Sequence, residues 1–283
     1  MKINVGLAQI SPKLADVRSN CELHLQFIER AVAQKVDLLV FPELSLTGYT
    51  LQDAVGDVAH QATPADPLIN TMLEASQRLD LVVGFAEVDD RSRFFTSGAY
   101  LSKGHIVHIH RKVYLPTYGL FDEGRYFDVG DRVRAFDTRF GRMALLICED
   151  FWHASPPYLA WLDGADVLLL TSASPGRGLG LDDRLASSRF VETVNQSYAA
   201  LFGSYVVHAN RVGFEDGLNF WGGSTIYDPD GALVVQAPYF EEALTVAAID
   251  LAQVTRTRKR IPLLRDERPE MTLRELRRII GEK

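Results

Sequence analysis

Short apolar runs alternate along this chain with longer stretches in which apolar residues return every three or four positions, the signatures of buried strands and one-sided helices. Residues 2 to 10 read as a strand that Ser11-Pro12 stops, and Leu25, Ile28, Ala31 and Val32 then share one face of a helix over residues 17 to 34. Residues 37 to 41 form a short buried strand, which Pro42 ends because proline has no N–H for the ladder. Pro64-Ala65-Asp66-Pro67 opens a second helix ending near Leu79, and residues 81 to 86 are again a strand. The pattern then changes. Strands at 96 to 101 and 106 to 114 follow each other directly across Lys103-Gly104, a hairpin signal that predicts antiparallel pairing. A strand runs into Cys148, a short helix follows Ser155-Pro156-Pro157, and residues 166 to 170 form another buried strand. The longest helix is predicted at 182 to 201, with Leu185, Phe190, Val191 and Val194 as its apolar contacts. Strands at 205 to 210, 224 to 227, 232 to 235 and 244 to 249 complete an α/β chain with mixed sheets, and Asp228-Pro229-Asp230-Gly231 supplies a turn.

Composition narrows the class. With 283 residues and 47% hydrophobic content the chain can bury a large core in one domain, placed here at residues 1 to 250. Residues 251 to 283 are charged and poor in core residues, so they are expected to dock at a subunit interface of a homodimer or larger homo-oligomer. A net charge of -7, with no basic run before the C-terminal tail, argues against a nucleic-acid partner and for a small molecule. Neither a signal-peptide pattern nor a long apolar span precedes the first strand, and two cysteines are too few for a disulfide framework. The expectation is a reduced, cytoplasmic protein with no membrane association.

Three strand ends carry chemistry. The run Met143-Ala144-Leu145-Leu146-Ile147 stops at Cys148, followed by Glu149 and Asp150, so a thiol stands at a strand-to-helix corner. Glu43 follows Phe41-Pro42, and Lys112 precedes Val113-Tyr114-Leu115-Pro116. Each alone has an ordinary explanation: a free cysteine is usually a small buried hydrophobe, and glutamate and lysine usually sit on solvated loops and strand ends. Their combination favours a nucleophile with a base and a cation. His108 and His110 share a strand face, but nothing nearby completes a ligand set, and a polar strand face explains them as well. The glycines at 176, 178 and 180 do not match G-x-G-x-x-G, so no dinucleotide site is expected. Cys21 lies on a helix without a base or cation in motif context and reads as structural; Trp152 and Trp221 read equally as packing or as site lining.

Taken in order, Ala8-Gln9, Phe41-Pro42-Glu43, Gly48-Tyr49, Lys112 with Leu115-Pro116, residues 121 to 127, Gly141-Arg142, Ile147-Cys148-Glu149-Asp150 and Gly223-Ser224 resemble the nitrilase or carbon-nitrogen hydrolase superfamily. The resemblance covers nearly the whole chain. It implies a four-layer α-β-β-α sandwich and a thiol-dependent hydrolase of a non-peptide carbon–nitrogen bond, without metal or organic cofactor. Cys148 would be the nucleophile, Glu43 the general base, Lys112 the oxyanion donor with the Glu149 N–H, and Glu123 a second acid that orients Lys112 or the substrate nitrogen. Tyr49, Tyr118, Glu149, Trp152, Ser172 and Ser174 are the expected substrate-binding residues. Cys148-Glu149-Asp150-Phe151-Trp152 looks most like the amidase domain of glutamine-dependent NAD synthetases, as do residues 112 to 118 and Ser172-Ala173-Ser174. No Ser-Gly-Gly-x-Asp-Ser loop of an ATP-using synthetase occurs in these residues, so a free-standing amidase that releases ammonia is the main expectation. A nitrilase is the alternative, and a glutaminase-like partner subunit of a separate synthetase is the alternative of another class.

Overall fold

The strands that the apolar runs predict assemble into two sheets stacked face to face. The computed structural model describes residues 1–178 and 185–281. One six-stranded sheet contains β1 (Lys2–Gln9), β2 (Leu38–Val40), β3 (Asp80–Val88), β4 (Phe94–Ser102), β5 (His105–Arg111) and β14 (Ala243–Asp250), in the order β14-β1-β2-β3-β4-β5. The other contains β6 (Ala135–Thr138), β7 (Gly141–Ile147), β8 (Val167–Ser172), β9 (Tyr205–Asn210), β12 (Thr225–Tyr227) and β13 (Leu233–Gln236), in the order β13-β12-β9-β8-β7-β6. A separate hairpin joins β10 (Val212–Glu215) to β11 (Leu218–Trp221). The helices are α1 (Val17–Ala33), α2 (Val55–Val58), α3 (Pro67–Ala75), α4 (Ser155–Leu162), α5 (Ala186–Phe202), α6 (Ala252–Arg260), α7 (Leu263–Asp266) and α8 (Pro269–Ile280).

Alternation along the strands builds the four layers. On β7, Met143 and Leu145 point between the sheets and meet Val5, Leu7, Val40 and Val82, whereas Ala144 and Leu146 face α4 and α5 through Trp161 and Phe202. On the outer face of the first sheet, Leu39, Leu81 and Val83 pack against Phe27 and Ile28 of α1 and Met72 of α3. Strands buried on both faces need no polar alternation, which is why they read as continuous apolar runs.

Some boundaries moved, for local reasons. The strand expected to reach residue 114 ends at Arg111, because the Val113 and Tyr114 N–H groups donate to the Asp150 carboxylate instead of to a neighbouring strand. The second helix stops at Ala75 rather than near Leu79, and β3 begins at Asp80. Strand β6 and the β10–β11 hairpin have no counterpart in the sequence reading. The helix expected from residue 182 starts at Ala186 as described, its first expected turn lying outside the described residues. Among the described residues, no helix is long and apolar enough to cross a membrane.

The C-terminal segment begins on the chain's own body. Val254 and Thr257 of α6 are buried against the chain's own body. Arg258 donates to Asp166 Oδ1 at 2.8 Å, Ala165 O at 2.7 Å and Ser204 Oγ at 2.8 Å. Arg258→Ala should therefore cost about 1–3 kcal/mol, since it strands these acceptors. Urea unfolding checks this, and an unchanged midpoint would show that α6 is not held by those bonds.

Candidate active site

Glu43, Lys112 and Cys148 each stand where a strand leaves the sandwich. Glu43 lies just past β2, in a turn where Leu44 takes φ +48°. The turn lies so close to β3 that a Cβ on Gly84 would sit 2.5 Å from both Pro42 O and Leu44 N, so the position requires glycine. Lys112 follows β5, where its carbonyl accepts the Gly130 N–H at 2.7 Å. Cys148 follows β7 and opens a 3₁₀ turn, Cys148–Phe151, with φ +46°, a left-handed conformation that costs a non-glycine residue about 1–3 kcal/mol.

Asp150 holds that conformation in place. Its Oδ1 accepts the Val113 and Tyr114 N–H groups, each at 2.9 Å. Its Oδ2 accepts the Ile147 N–H at 3.1 Å and lies 2.8 Å from His110 Nε2. A single fully buried carboxylate thus staples the Cys148 corner to the segment that carries Lys112. His110 is engaged in this staple and His108 stacks on Phe136, with ring centroids 4.3 Å apart.

Lys112 is completely buried between two carboxylates. Its Nζ donates to Glu43 Oε1 at 2.7 Å and lies 2.8 Å from both Glu123 oxygens. The other Glu43 oxygen, Oε2, accepts the Ala173 N–H at 2.8 Å, and Tyr49 Oη donates to Glu123 Oε1 at 2.7 Å. Burial opposes the charge on Lys112, but the combined attraction of Glu123 and Glu43 outweighs it and holds the ammonium well above its usual range. Burial pushes the Cys148 thiol well up; Glu43 adds to the shift and Lys112 opposes it. Cys148 is therefore a neutral thiol beside a buried carboxylate and a buried ammonium.

A narrow cleft with a volume of about 30 Å³ opens on Cys148, lined also by Phe121, Glu149, Trp152, Ser174, Pro175 and Arg177. Tyr118 stands at 46% exposure and donates to Glu149 Oε2 at 3.0 Å; Trp152 packs on Phe190 with ring centroids 4.9 Å apart. Two of the expected substrate-binding residues lie elsewhere. Ser172 does not line the cleft, because its hydroxyl is enclosed between His208 and Asn210. Tyr49 lines a separate cavity behind Glu123. Trp221 is wholly buried in the core, packing against Tyr239. Asp150, two positions after the cysteine in the motif, was legible as an acid but not as the staple; Arg177 lies in a glycine-rich loop that offers no periodic signal.

Residues 4–259 match the carbon-nitrogen hydrolase family. The chain belongs to that family and is an enzyme of the nitrilase superfamily. It is 30% identical over 256 residues to the glutamine-dependent NAD(+) synthetase of Acinetobacter baylyi, covering 88% of this chain and 44% of that one. The chain thus spans less than half the length of this curated relative. A carbon-nitrogen hydrolase from Helicobacter pylori shares the fold, with a TM-score of 0.86, 23% identity and coverage of 98% and 99% of the two chains. So does an amidase of the nitrilase superfamily from Nesterenkonia, with a TM-score of 0.79, 22% identity and 96% coverage of each chain.

Burial is also the main cause that raises the Glu123 carboxyl, to about 7, with Lys112 opposing and Glu43 assisting. A carboxyl raised in the folded state binds its proton more tightly there, so its contribution favours folding at low pH and is lost as the pH rises from the ordinary value of 4.5 through about 7. Glu123→Gln, an isostere of the neutral acid, should remove that dependence. Urea midpoints of both proteins at the two ends of this window check it; parallel changes would show that Glu123 does not titrate there.

Proposed function

We propose that the protein hydrolyses the carbon–nitrogen bond of a small primary amide through a thioester on Cys148. The convergence of Glu43, Lys112 and Glu123 beside the thiol carries this reading. Glu43 takes the thiol proton as sulfur attacks the amide carbon, an assistance worth roughly 10²- to 10⁴-fold. Lys112 stabilises the oxygen as it becomes an oxyanion, together with the Glu149 N–H at the start of the 3₁₀ turn. The C–N bond breaks, the proton passes to the departing nitrogen, and ammonia leaves. Water deprotonated by Glu43 then hydrolyses the thioester to acid and free thiol. Glu123, held by Tyr49, steadies Lys112 or the substrate nitrogen.

A more specific reading follows from the cleft walls. Glu149 and Arg177 set one acid and one base near the nucleophile. Arg177 Nε and Nη2 are buried without a hydrogen-bond partner among the described residues, while the guanidinium lies 4.5 Å over Phe121. An amide whose far end bears both an ammonium and a carboxylate, such as glutamine, would satisfy both walls. The glutamine dependence of the NAD(+) synthetase relative supports this choice and the role of ammonia donor to a separate synthetase. The C-terminal segment would serve assembly through α8, where Leu273, Leu276, Ile279 and Ile280 are at least half exposed.

Ammonia release from glutamine, from a short uncharged amide and from its matching nitrile tests these readings. Cys148→Ala should abolish release, and Lys112→Met should lower turnover about 10²- to 10³-fold with little change in KM. Arg177→Met should raise KM for glutamine but not for the uncharged amide. Faster turnover of the nitrile would replace the amidase reading with a nitrilase one. Deleting residues 269 to 283 should lower the mass seen by light scattering; an unchanged mass would refute the assembly role.

A further inference from the structure

Behind Glu43 runs a hydrogen-bonded chain whose every direction is determined. The side-chain amide of Asn210 sits between two backbone groups of opposite polarity: its Nδ2 donates to Gly222 O at 2.9 Å and its Oδ1 accepts the Ser174 N–H at 2.9 Å. The amide therefore has one orientation. Ser172 Oγ also donates to Asn210 Oδ1, at 2.8 Å, which leaves the hydroxyl oxygen to accept from His208 Nε2 at 2.6 Å. His208 Nδ1 in turn accepts from Asn195 Nδ2 at 3.0 Å. His208 is thus a neutral imidazole with its proton on Nε2, consistent with burial depressing its pKa to about 3.

Asn195, His208 and Asn210 are completely buried, and Ser172 and Ser174 nearly so. Within this buried network Asn195 Oδ1 alone is left without a hydrogen-bond partner among the described residues, at the end farthest from Glu43. The chain ends in a bracket: Asn210 Oδ1 receives donors from residues 172 and 174, on either side of Ala173. The Ala173 N–H is the donor that holds Glu43 Oε2. The parallel register of β8 and β9 places Ser172 opposite Asn210, so the bracket closes where both strands end.

We propose that Asn210, with Ser172 and His208, positions the base Glu43 by holding the Ala173 N–H, and thereby sets the turnover rate. The inference rests on Glu43 being the base. Lys112 Nζ and Ala173 N–H are the donors on the two carboxylate oxygens, and only the second belongs to the sheet carrying Cys148. Loosening it lets the carboxylate swing about Lys112. A displacement on the order of 1 Å at a reacting group costs up to about 100-fold in rate.

The test is steady-state ammonia release by the full chain, using the amide that it turns over fastest, with rates normalised to titrated Cys148. Asn210→Ala should lower kcat by about 10- to 100-fold and leave KM within about twofold. Should that variant fail to fold, Ser172→Ala, which removes only the hydroxyl, should lower kcat in the same direction. His208→Gln, whose amide can both donate and accept, should retain most of the kcat that His208→Leu loses. Glu43→Gln separates the two levels of the argument: if it still turns over, the base assignment itself is wrong. If Glu43→Gln is inactive while soluble Asn210→Ala or Ser172→Ala keeps the parent kcat, the positioning role is refuted. Equal kcat for the two His208 variants would likewise remove the imidazole from the chain.

Discussion

A lysine ammonium with no solvent exposure must be paired, and the pairing of Lys112 organises this protein. Leaving water costs such a charge several kcal/mol, which only close and well-oriented carboxylates offset. Glu43 and Glu123 supply them from different parts of the chain, 69 and 11 residues away. Glu43 is in turn held by Ala173 from the second sheet, so the buried ammonium ties the two sheets together at one end. The face-to-face sandwich exists as a stable apolar stack, and its strand ends are brought into register by this polar cluster.

The same pairing sets the chemistry. Two carboxylates around one ammonium leave an excess of negative character beside Cys148, and burial adds to it, so the thiol stays protonated at rest. In the proposed reaction Lys112 would gain a new anion, the developing oxyanion, and Glu43 would receive a proton, so the charge distribution would improve as the reaction proceeds. That is the condition under which a site accelerates a reaction rather than merely binding its substrate. The strain of the left-handed turn at Cys148 is held by the Asp150 staple.

Much of this was legible in the sequence because it is local. Strand ends are marked by abrupt stops in apolar runs, and Pro42 sets one of those stops beside Glu43. The order of motif fragments along the chain identified the family resemblance, and the comparisons bear it out. Other features were not legible because their partners are remote in sequence. Strand β5 stops at Arg111 only because Asp150, some forty positions on, takes the next two N–H groups. The charged stretch in α6 looked like a tail without a core, yet Arg258 finds Asp166, a partner 92 positions earlier.

Period and punctuation in the sequence determined which segments would be buried, where the strands would stop, and which chemical groups would stand at those stops. Tertiary structure alone decided their assignments. It placed Ser174 in the cleft and enclosed Ser172, although the two differ by only two positions, because β8 ends at Ser172 and the alternation that puts residues two apart on one face stops with it. It also set Tyr49 behind Glu123 rather than beside the cleft, and brought Arg177 into the cleft that Glu149 lines. A side chain's role depends on which distant groups satisfy its polar atoms once water is excluded, and those groups are chosen by the packing of two sheets rather than by anything readable along one strand.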